Sequence, residues 1–499
     1  MRMAEPGTDA VRQPVVARVM GSAADLRLTV DSTRFAVCFL ALGAILPVVI
    51  AGSRSRPWST AYLVVLLVCL QAAAGLAYVL ASDRMRPMSL GFWTYSYLFL
   101  GLAALAQLGE DRYPSATGYP DSIALRAAII TEVGVLAYAC AYHLRRPWGR
   151  PRPADRPSLL AGGLSGRRIL WLSAVSLVLT ALLVQKLGLS SLFTSRQAAV
   201  TAAAASSPDS SSKASRALLS WGAQVSVYAA LLGLIHCRDF VRPAPPRDYR
   251  NLPVRWWHRR SAGWFALTTV VALANLAVNN PISQSRFWSG TVILGLIFCT
   301  PYLRRPQAFR AGAAAVLVLF IVVFPYSDLF RYTKSQTVTV TSLSDQFTNK
   351  LDYDSFAQIE VGIAYVDATG LHPQAALGPP LFWVPRSHWA GKPNDTGVVL
   401  SQYVGYTITN RSAPLWIESY QVGGLAAVVV VFAAAGLGAR RLDEFFNRYA
   451  GRPGVVANFV PVLGFFQLIL LRGSLLQATA PFVLLLVVAL LLPRSRTSR

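Results

Sequence analysis

The feature that most constrains the fold of this chain is a series of apolar segments, each close to the length of a membrane-spanning helix. Such a helix needs about 20 mainly apolar residues to cross the hydrocarbon layer. Of the 499 residues, 54% are hydrophobic and only 14% are charged, whereas roughly a quarter are charged in soluble domains. The sequence therefore predicts an all-α, polytopic membrane protein. Its twelve candidate spans lie near residues 34–51, 60–81, 88–107, 125–143, 168–187, 217–236, 262–279, 287–302, 310–326, 419–438, 455–471 and 475–493.

Arginine and lysine predict the orientation of these spans, because both are enriched in cytoplasmic loops. The linkers 144–168 and 237–261 carry seven Arg each. Twelve spans with both termini in the cytoplasm place these linkers on one side, together with the shorter basic segments 302–306, 439–441 and 494–499. Membrane orientation therefore explains the net charge of +24 better than nucleic-acid binding does. Arg54 and Arg56 are exceptions to this arrangement.

The same arrangement divides the chain into three parts. Residues 1–33 are predicted to be a cytoplasmic tail, disordered and without a signal-peptide pattern, and 34–499 form one transmembrane domain. Within that domain, residues 327–411 are predicted to form a large extracytoplasmic loop, with seven acidic against six basic residues. The loop should contain two short helices. One begins at Ser342 and is amphipathic at the interface, and the other runs from near Asp354 to Gly370.

Four arginines stand at membrane boundaries on the predicted outer side, where cations run against the usual charge bias. Guanidinium groups bind phosphates with two parallel hydrogen bonds and stay charged at any working pH. The alternative is that these side chains only reach for the interface or contact lipid headgroups. The four residues are Arg196, Arg286, Arg331 and Arg386.

Candidate proton acceptors lie in the same loop. His388 lies between Arg386 and Lys392 and is flanked by two Trp residues, a setting suited to sugar-phosphate chemistry, although such a cluster can also simply anchor a loop. Asp352 and Asp354 form a pair that could hold or deprotonate a sugar hydroxyl, or Asp354 could cap a helix.

Several other chemistries have no support in the sequence. No metal site is predicted, because the five cysteines lack ligand spacing and the two outward His residues lack acidic partners. No HExxH, nucleophile elbow or P-loop motif occurs, which gives no support to protease, lipase or ATPase activity.

An ordered set of motifs resembles the oligosaccharide repeat-unit polymerase family, the Wzy-type O-antigen polymerases. The resemblance covers roughly residues 190–440, and its last motif is 410–418 (NRSAPLWIE), followed by Tyr420 and the pair Gly423-Gly424. The four earlier motifs are 280–288 (NPISQSRFW), 324–331 (FPYSDLFR), 351–356 (LDYDSF) and 382–393 (FWVPRSHWAGKP).

The resemblance implies a glycosyltransferase with a GT-C-like fold in the cytoplasmic (inner) membrane. Such enzymes join repeat units carried on polyprenyl pyrophosphate at the outer face, without a cofactor, a nucleotide sugar or a required metal. Expected partners are the lipid-linked donor and acceptor, the bilayer and a chain-length regulator, with no nucleic acid.

The resemblance also implies roles for individual residues. Arg286, Arg331 and Arg386 would clamp the lipid diphosphate, and one of His388, Asp352 and Asp354 would deprotonate the acceptor hydroxyl. The remaining substrate-binding residues would be Arg196, Lys392 and Glu418.

Three other functions remain open on the sequence: an O-antigen-ligase-like transferase, a transporter of polysaccharide or lipid-linked glycan, and a structural membrane subunit. A transporter should have charged or broken helices at mid-membrane, and the apolar segments are nearly free of charge. The clustered polar loop argues against a purely structural subunit.

Overall fold

The structure is a computed structural model, and it describes residues 30–51, 56, 58–114, 119–144, 163–195, 198, 210–240, 260–324, 342–406, 411–451 and 454–493. The described residues are helical and contain no β-strand, only three isolated bridges. Most of the predicted tail 1–33, together with Arg196 and Arg331, lies outside the described residues.

Within the described residues, nine helices are long and apolar enough to cross a membrane. They are α1 (Ser32–Ile50), α2 (Thr60–Ala81), α3 (Pro87–Glu110), α4 (Asp121–His143), α5 (Gly166–Leu187), α6 (Ser215–His236), α9 (Pro306–Val323), α13 (Leu415–Tyr449) and α14 (Val455–Arg472).

Three more apolar helices are shorter: α7 (Ala262–Val278), α8 (Arg286–Phe298) and α15 (Leu475–Leu491). They have 17, 13 and 17 residues, less than the roughly 20 that a perpendicular span requires. Each of the twelve predicted segments therefore corresponds to one helix, while twelve crossings remain a prediction.

Close helix contacts depend on small residues at a few positions. A Cβ at Gly91 in α3 would lie 2.0 Å from the carbonyl oxygen of Gly464 in α14. A Cβ at Gly436 in α13 would lie 2.4 Å from the carbonyl oxygen of Tyr138 in α4. Glycine permits this approach where any other side chain would separate the backbones.

Helix α13 is broken near its start. Gly423 and Gly424 have non-helical backbone angles, and Gly424 has a φ of 63°, a conformation that glycine adopts at little cost. Residues before the break pack inward, as shown by the Trp416 indole, which donates to the Thr131 carbonyl at 3.0 Å.

Residues 327–411, which we call the polar loop, contribute three helices. They are α10 (Leu343–Asn349), α11 (Ser355–Thr369) and α12 (Thr396–Val404). The predicted start at Ser342 is confirmed, since its side chain accepts the Asp345 N–H. The predicted helix from Asp354 to Gly370 is also confirmed, and it stops at Gly370, whose φ is 83°.

The alternative in which Asp354 caps a helix is not seen. Its side chain makes no cap hydrogen bond to α11, and its Oδ1 accepts from the Ser412 hydroxyl. The start of α11 is buried on every side, because α3, α4 and α13 surround it. One face of α10 is buried against α3. There the Gln107 amide donates to the carbonyl of Phe347 in α10 and to that of Tyr353 just before α11.

Charged side chains cluster at the two ends of the described bundle. At one end, Arg56 pairs with Asp111 and Asp121, and the loop helices pack against α3 and α4. We call this the loop end. At the other, which we call the arginine end, Arg86 binds Tyr142, Arg310 pairs with Asp83, and Arg440 contacts the Tyr142 carbonyl.

Candidate functional site

An ion pair between helix α8 and the polar loop lies at the loop end. Arg286 is the first residue of α8, which Ser285 caps through the Trp288 N–H. Its NH1 lies 2.7 Å from Oδ2 of Asp352, and the two side chains are only 12% and 11% exposed. The guanidinium also lies 5.5 Å from the centre of the Phe324 ring. The sequence predicted both residues as site residues, and the fold brings them together.

Arg472 extends this pair to a second carboxylate. It is the last residue of α14, and its Nε and NH2 donate to the carbonyls of Asp352 and Leu351 at 3.1 and 3.2 Å. Its NH2 lies 3.4 Å from Oδ1 of Asp354. Arg472 was not predicted from the sequence as a site residue. A usable signal existed, because the predicted topology puts Arg472 at the outer end of a span, where an Arg opposes the charge bias.

Asp354 is the most enclosed acid of the group, at 1% exposure. The Ser412 hydroxyl donates to its Oδ1 at 2.5 Å, and its Oδ2 has no hydrogen-bond partner among the described residues. Burial raises the pKa of Asp354 above its ordinary value, against the lowering effects of Arg472, Ser412 and Arg411. A carboxyl group with a raised pKa is a better proton acceptor.

Arg411 brings a third guanidinium close to Asp354. It lies 4.5 Å above the Tyr406 ring. Its Nε and NH1 are buried and make no hydrogen bond within the described part of the chain. In the sequence, Arg411 stands out only as part of the motif at 410–418. Its position in the group follows from the next residue, Ser412, whose hydroxyl donates to Asp354.

Arg386 and Lys392 hold their own loop together instead of joining this cluster. Arg386 donates to the carbonyls of Lys392 and Pro393 and to Oδ1 of Asn394, at 2.7, 3.0 and 2.8 Å. The Lys392 ammonium donates to the carbonyls of Phe382 and Val384. These hydrogen bonds hold residues 382–394 in a tight turn. Arg386 therefore does not join Arg286 in one clamp, contrary to what the resemblance implied.

His388 is exposed on the same turn. Its Nδ1 lies 3.1 Å from the Ser387 hydroxyl, and no hydrogen bond or ion pair joins it to Arg286, Asp352 or Asp354. Of the three candidate bases, the fold therefore places the two aspartates beside arginines and leaves His388 apart from them.

Glu418 lies beside a cavity of about 240 Å³ next to the break in α13. Its Oε1 accepts the Ser474 hydroxyl at 3.0 Å and its Oε2 accepts the Leu475 N–H at 2.9 Å. The walls are mainly apolar, with residues from both sides of the break and from α15. No Arg or Lys lines this cavity, so the predicted substrate-binding Glu418 belongs to a different environment from the arginines.

Searches with the chain found no match to any protein-family model, curated protein or solved structure. Function is therefore inferred from the site itself. Among the described residues, that site is a group of three arginines and two aspartates where α8, α14 and the polar loop meet.

Proposed function

We propose that this chain is a membrane glycosyltransferase that polymerises polyprenyl-pyrophosphate-linked oligosaccharide repeat units, as the Wzy-type polymerases that its motifs resemble do. The observation that carries the proposal is the enclosed group of Arg286, Arg411 and Arg472 around Asp352 and Asp354. It joins anion-binding groups to a candidate base in one place, as transfer from a diphosphate requires.

The arginines suit the leaving group of such a reaction. Negative charge grows on a diphosphate as its bond to the sugar breaks, and fixed guanidinium groups in an enclosed site stabilise that charge better than water does. Asp352 holds Arg286 in position, and Arg411 keeps buried donors that no described residue uses. We therefore assign the clamp to Arg286, Arg411 and Arg472, with Arg386 shaping the neighbouring turn.

Asp354 suits the role of general base. It takes the proton from the acceptor hydroxyl, and the resulting oxygen attacks the anomeric carbon of the donor sugar. The bond from that carbon to the diphosphate oxygen breaks, and the lipid diphosphate leaves with the electron pair. The raised pKa of Asp354 fits a group that must accept a proton near neutrality.

The proposed topology follows from the two ends of the bundle. Twelve crossings with both termini in the cytoplasm would place the arginine end inside and the loop end, with its cluster, at the outer face. The site would then meet lipid-linked substrates at the level of their headgroups.

A transporter of lipid-linked glycan is the second candidate. Helix α13 is broken at Gly423 and Gly424, and Glu132 is buried midway along α4, where the Gln71 amide donates to it. A broken helix and a carboxyl group at mid-membrane are features that transport proteins use. A ligase-like transferase would share the cluster but have a different acceptor.

One experiment separates these functions. Cells lacking the chain are examined for lipid-linked glycan by gel electrophoresis, and then again after they receive wild type or Arg286→Ala. Accumulation of single repeat units, relieved by wild type only, supports a polymerase. Intact polymer that stays unattached identifies a ligase or an exporter, and would refute the proposal.

A further inference from the structure

Gln358 lies one helical turn after Asp354 on the same face of α11. Its backbone N–H donates to the Asp354 carbonyl at 2.9 Å, and side chains four residues apart in a helix are neighbours. One turn further on, a Cβ at Gly362 would lie 2.0 Å from Ile417. Because Ser412 binds Asp354, this face of α11 runs along residues 412–417, with Gln358 between the two contacts.

The Gln358 amide is fully buried, with 0% exposure. Neither its Nε2 nor its Oε1 has a hydrogen-bond partner among the described residues. The neighbouring Asp354 Oδ2 and the Nε and NH1 of Arg411 are in the same condition. Protein interiors normally pair such groups, because an unpaired buried amide destabilises the fold.

Another buried amide at the loop end shows the usual arrangement. Asn280, at 3% exposure, donates to the carbonyls of Leu192 and Ala277. Its Oδ1 accepts the N–H groups of Ile282 and Ser283. Asn280 therefore stabilises a turn with both of its amide atoms, whereas Gln358 holds nothing within the described structure.

We propose that Gln358 is a specificity-determining residue that binds a neutral hydroxyl or acetamido group of the acceptor sugar, next to the hydroxyl that Asp354 deprotonates. This inference rests on the proposed function and deepens it. The amide is uncharged and offers one donor and one acceptor group, as a hydroxyl or an acetamido group does. Anionic groups belong instead beside Arg411 and Arg286.

The test uses two substitutions of Gln358 in the full-length protein reconstituted in liposomes. Gln358→Leu removes both polar atoms at similar size, and Gln358→Asn keeps the amide but shortens its reach. The probe is the pool of lipid-linked single repeat units from cells lacking the chain, titrated as acceptor at a fixed donor concentration. Asn280→Leu serves as the control, since it removes a buried amide that is fully hydrogen-bonded.

We expect Gln358→Leu to raise the acceptor KM about tenfold or more, with kcat changed far less, because one buried hydrogen bond to the acceptor is lost. Its melting temperature should equal or exceed that of wild type, since an apolar group replaces an unpaired polar one. Gln358→Asn should fall between wild type and Gln358→Leu in KM. Asn280→Leu should lower the melting temperature.

A wild-type acceptor KM in Gln358→Leu would overturn the inference and leave the proposed function standing. Melting of both Gln358 variants well below wild type would also overturn it, because the amide would then be structural. Failure of the wild-type protein to extend the probe at all would defeat the proposed function and this inference together.

Discussion

The two ends of the bundle use the same residue types in opposite ways. At the arginine end, Asp443 accepts the N–H groups of Met88 and Ser89 and the Tyr142 hydroxyl. Arg86 donates to the hydroxyls of Tyr142, Tyr78 and Ser82. Both oxygens of this buried carboxylate and all three guanidinium nitrogens are therefore paired. Such a network caps the start of α3 and holds α2, α4 and α13 together.

At the loop end, the corresponding groups are only partly satisfied. Asp354 Oδ2, two nitrogens of Arg411 and the Gln358 amide have no partner in the described part of the chain. Burial and charge alone therefore do not mark a functional site, because both ends have buried charged groups. The fully paired network of Asp443 and Arg86 stabilises the fold, whereas the loop-end group has unused donors and acceptors, which the proposed function assigns to substrate.

The largest expected effect is that of Asp354→Asn, which removes the proposed base at almost constant size. Extension of lipid-linked repeat units in liposomes should fall by about 100- to 10,000-fold, the usual contribution of general acid–base catalysis. Asp367→Asn is the control on the same helix, because Asp367 is exposed and pairs with Arg126. If the Asp354→Asn protein keeps the wild-type rate, the loop-end group is structural, as the Asp443 network at the arginine end is.

Arg286→Ala should lower the same rate by about 100- to 1,000-fold, since a fixed donor to a developing negative charge contributes about 3–4 kcal/mol. Arg286→Lys should restore only part of the rate, because an ammonium lacks the two-pronged donor geometry. Arg112→Ala is the control, a half-exposed arginine at the same end that lies 3.6 Å from Asp345. Arg386→Ala should reduce the rate less than Arg286→Ala does, and the reverse order would return Arg386 to the clamp.

Asp443→Ala should instead act on stability. It leaves the N–H groups of Met88 and Ser89 and the Tyr142 hydroxyl without their acceptor, and loss of one member of a buried charged network costs about 3–5 kcal/mol. We expect a clearly lower melting temperature in detergent, with the activity of the remaining folded protein unchanged. Glu444→Gln, at the next and more exposed position, should melt like wild type. A selective loss of activity in Asp443→Ala would break the distinction between the two ends.

The smallest expected effect concerns Glu360, which is buried in α11 with both carboxyl oxygens unpaired among the described residues. Burial, with a contribution from Asp111, raises the pKa of Glu360 to about 8. The folded protein therefore holds a proton that the unfolded chain releases near its ordinary value of about 4.3. Stability should fall as the pH rises from about 5 to 8 and then level off.

Glu360→Gln should remove this dependence, so that its gain in melting temperature over wild type is larger at pH 8.5 than at pH 5. Asp367→Asn is again the control. Its partner Arg126 lowers the pKa of Asp367, so the difference from wild type should be constant over that range. An equal gain for Glu360→Gln at both pH values would show that Glu360 ionises normally in the folded protein.

Local patterns in the sequence determined much of this protein. All twelve apolar segments are helices, because a run of apolar residues needs no distant partner to favour a helix in a membrane. The loop helices beginning at Ser342 and Asp354 were also predictable, since a cap residue and a terminal glycine act within one turn. Arg286 was selected because its charge opposes the membrane bias, and Asp352 because it pairs with Asp354 in the sequence.

Only the tertiary structure decided which of these residues meet. Arg472 reaches Asp352 across 120 residues of chain, and Ser412 reaches Asp354 across 58. No periodicity or spacing encodes such pairs. The same holds for Arg386, whose unbonded donors were expected to bind phosphate and which instead fold its own turn. A guanidinium has five donors and bonds whichever acceptors the fold brings within reach, so its role follows from packing rather than from its place in the sequence.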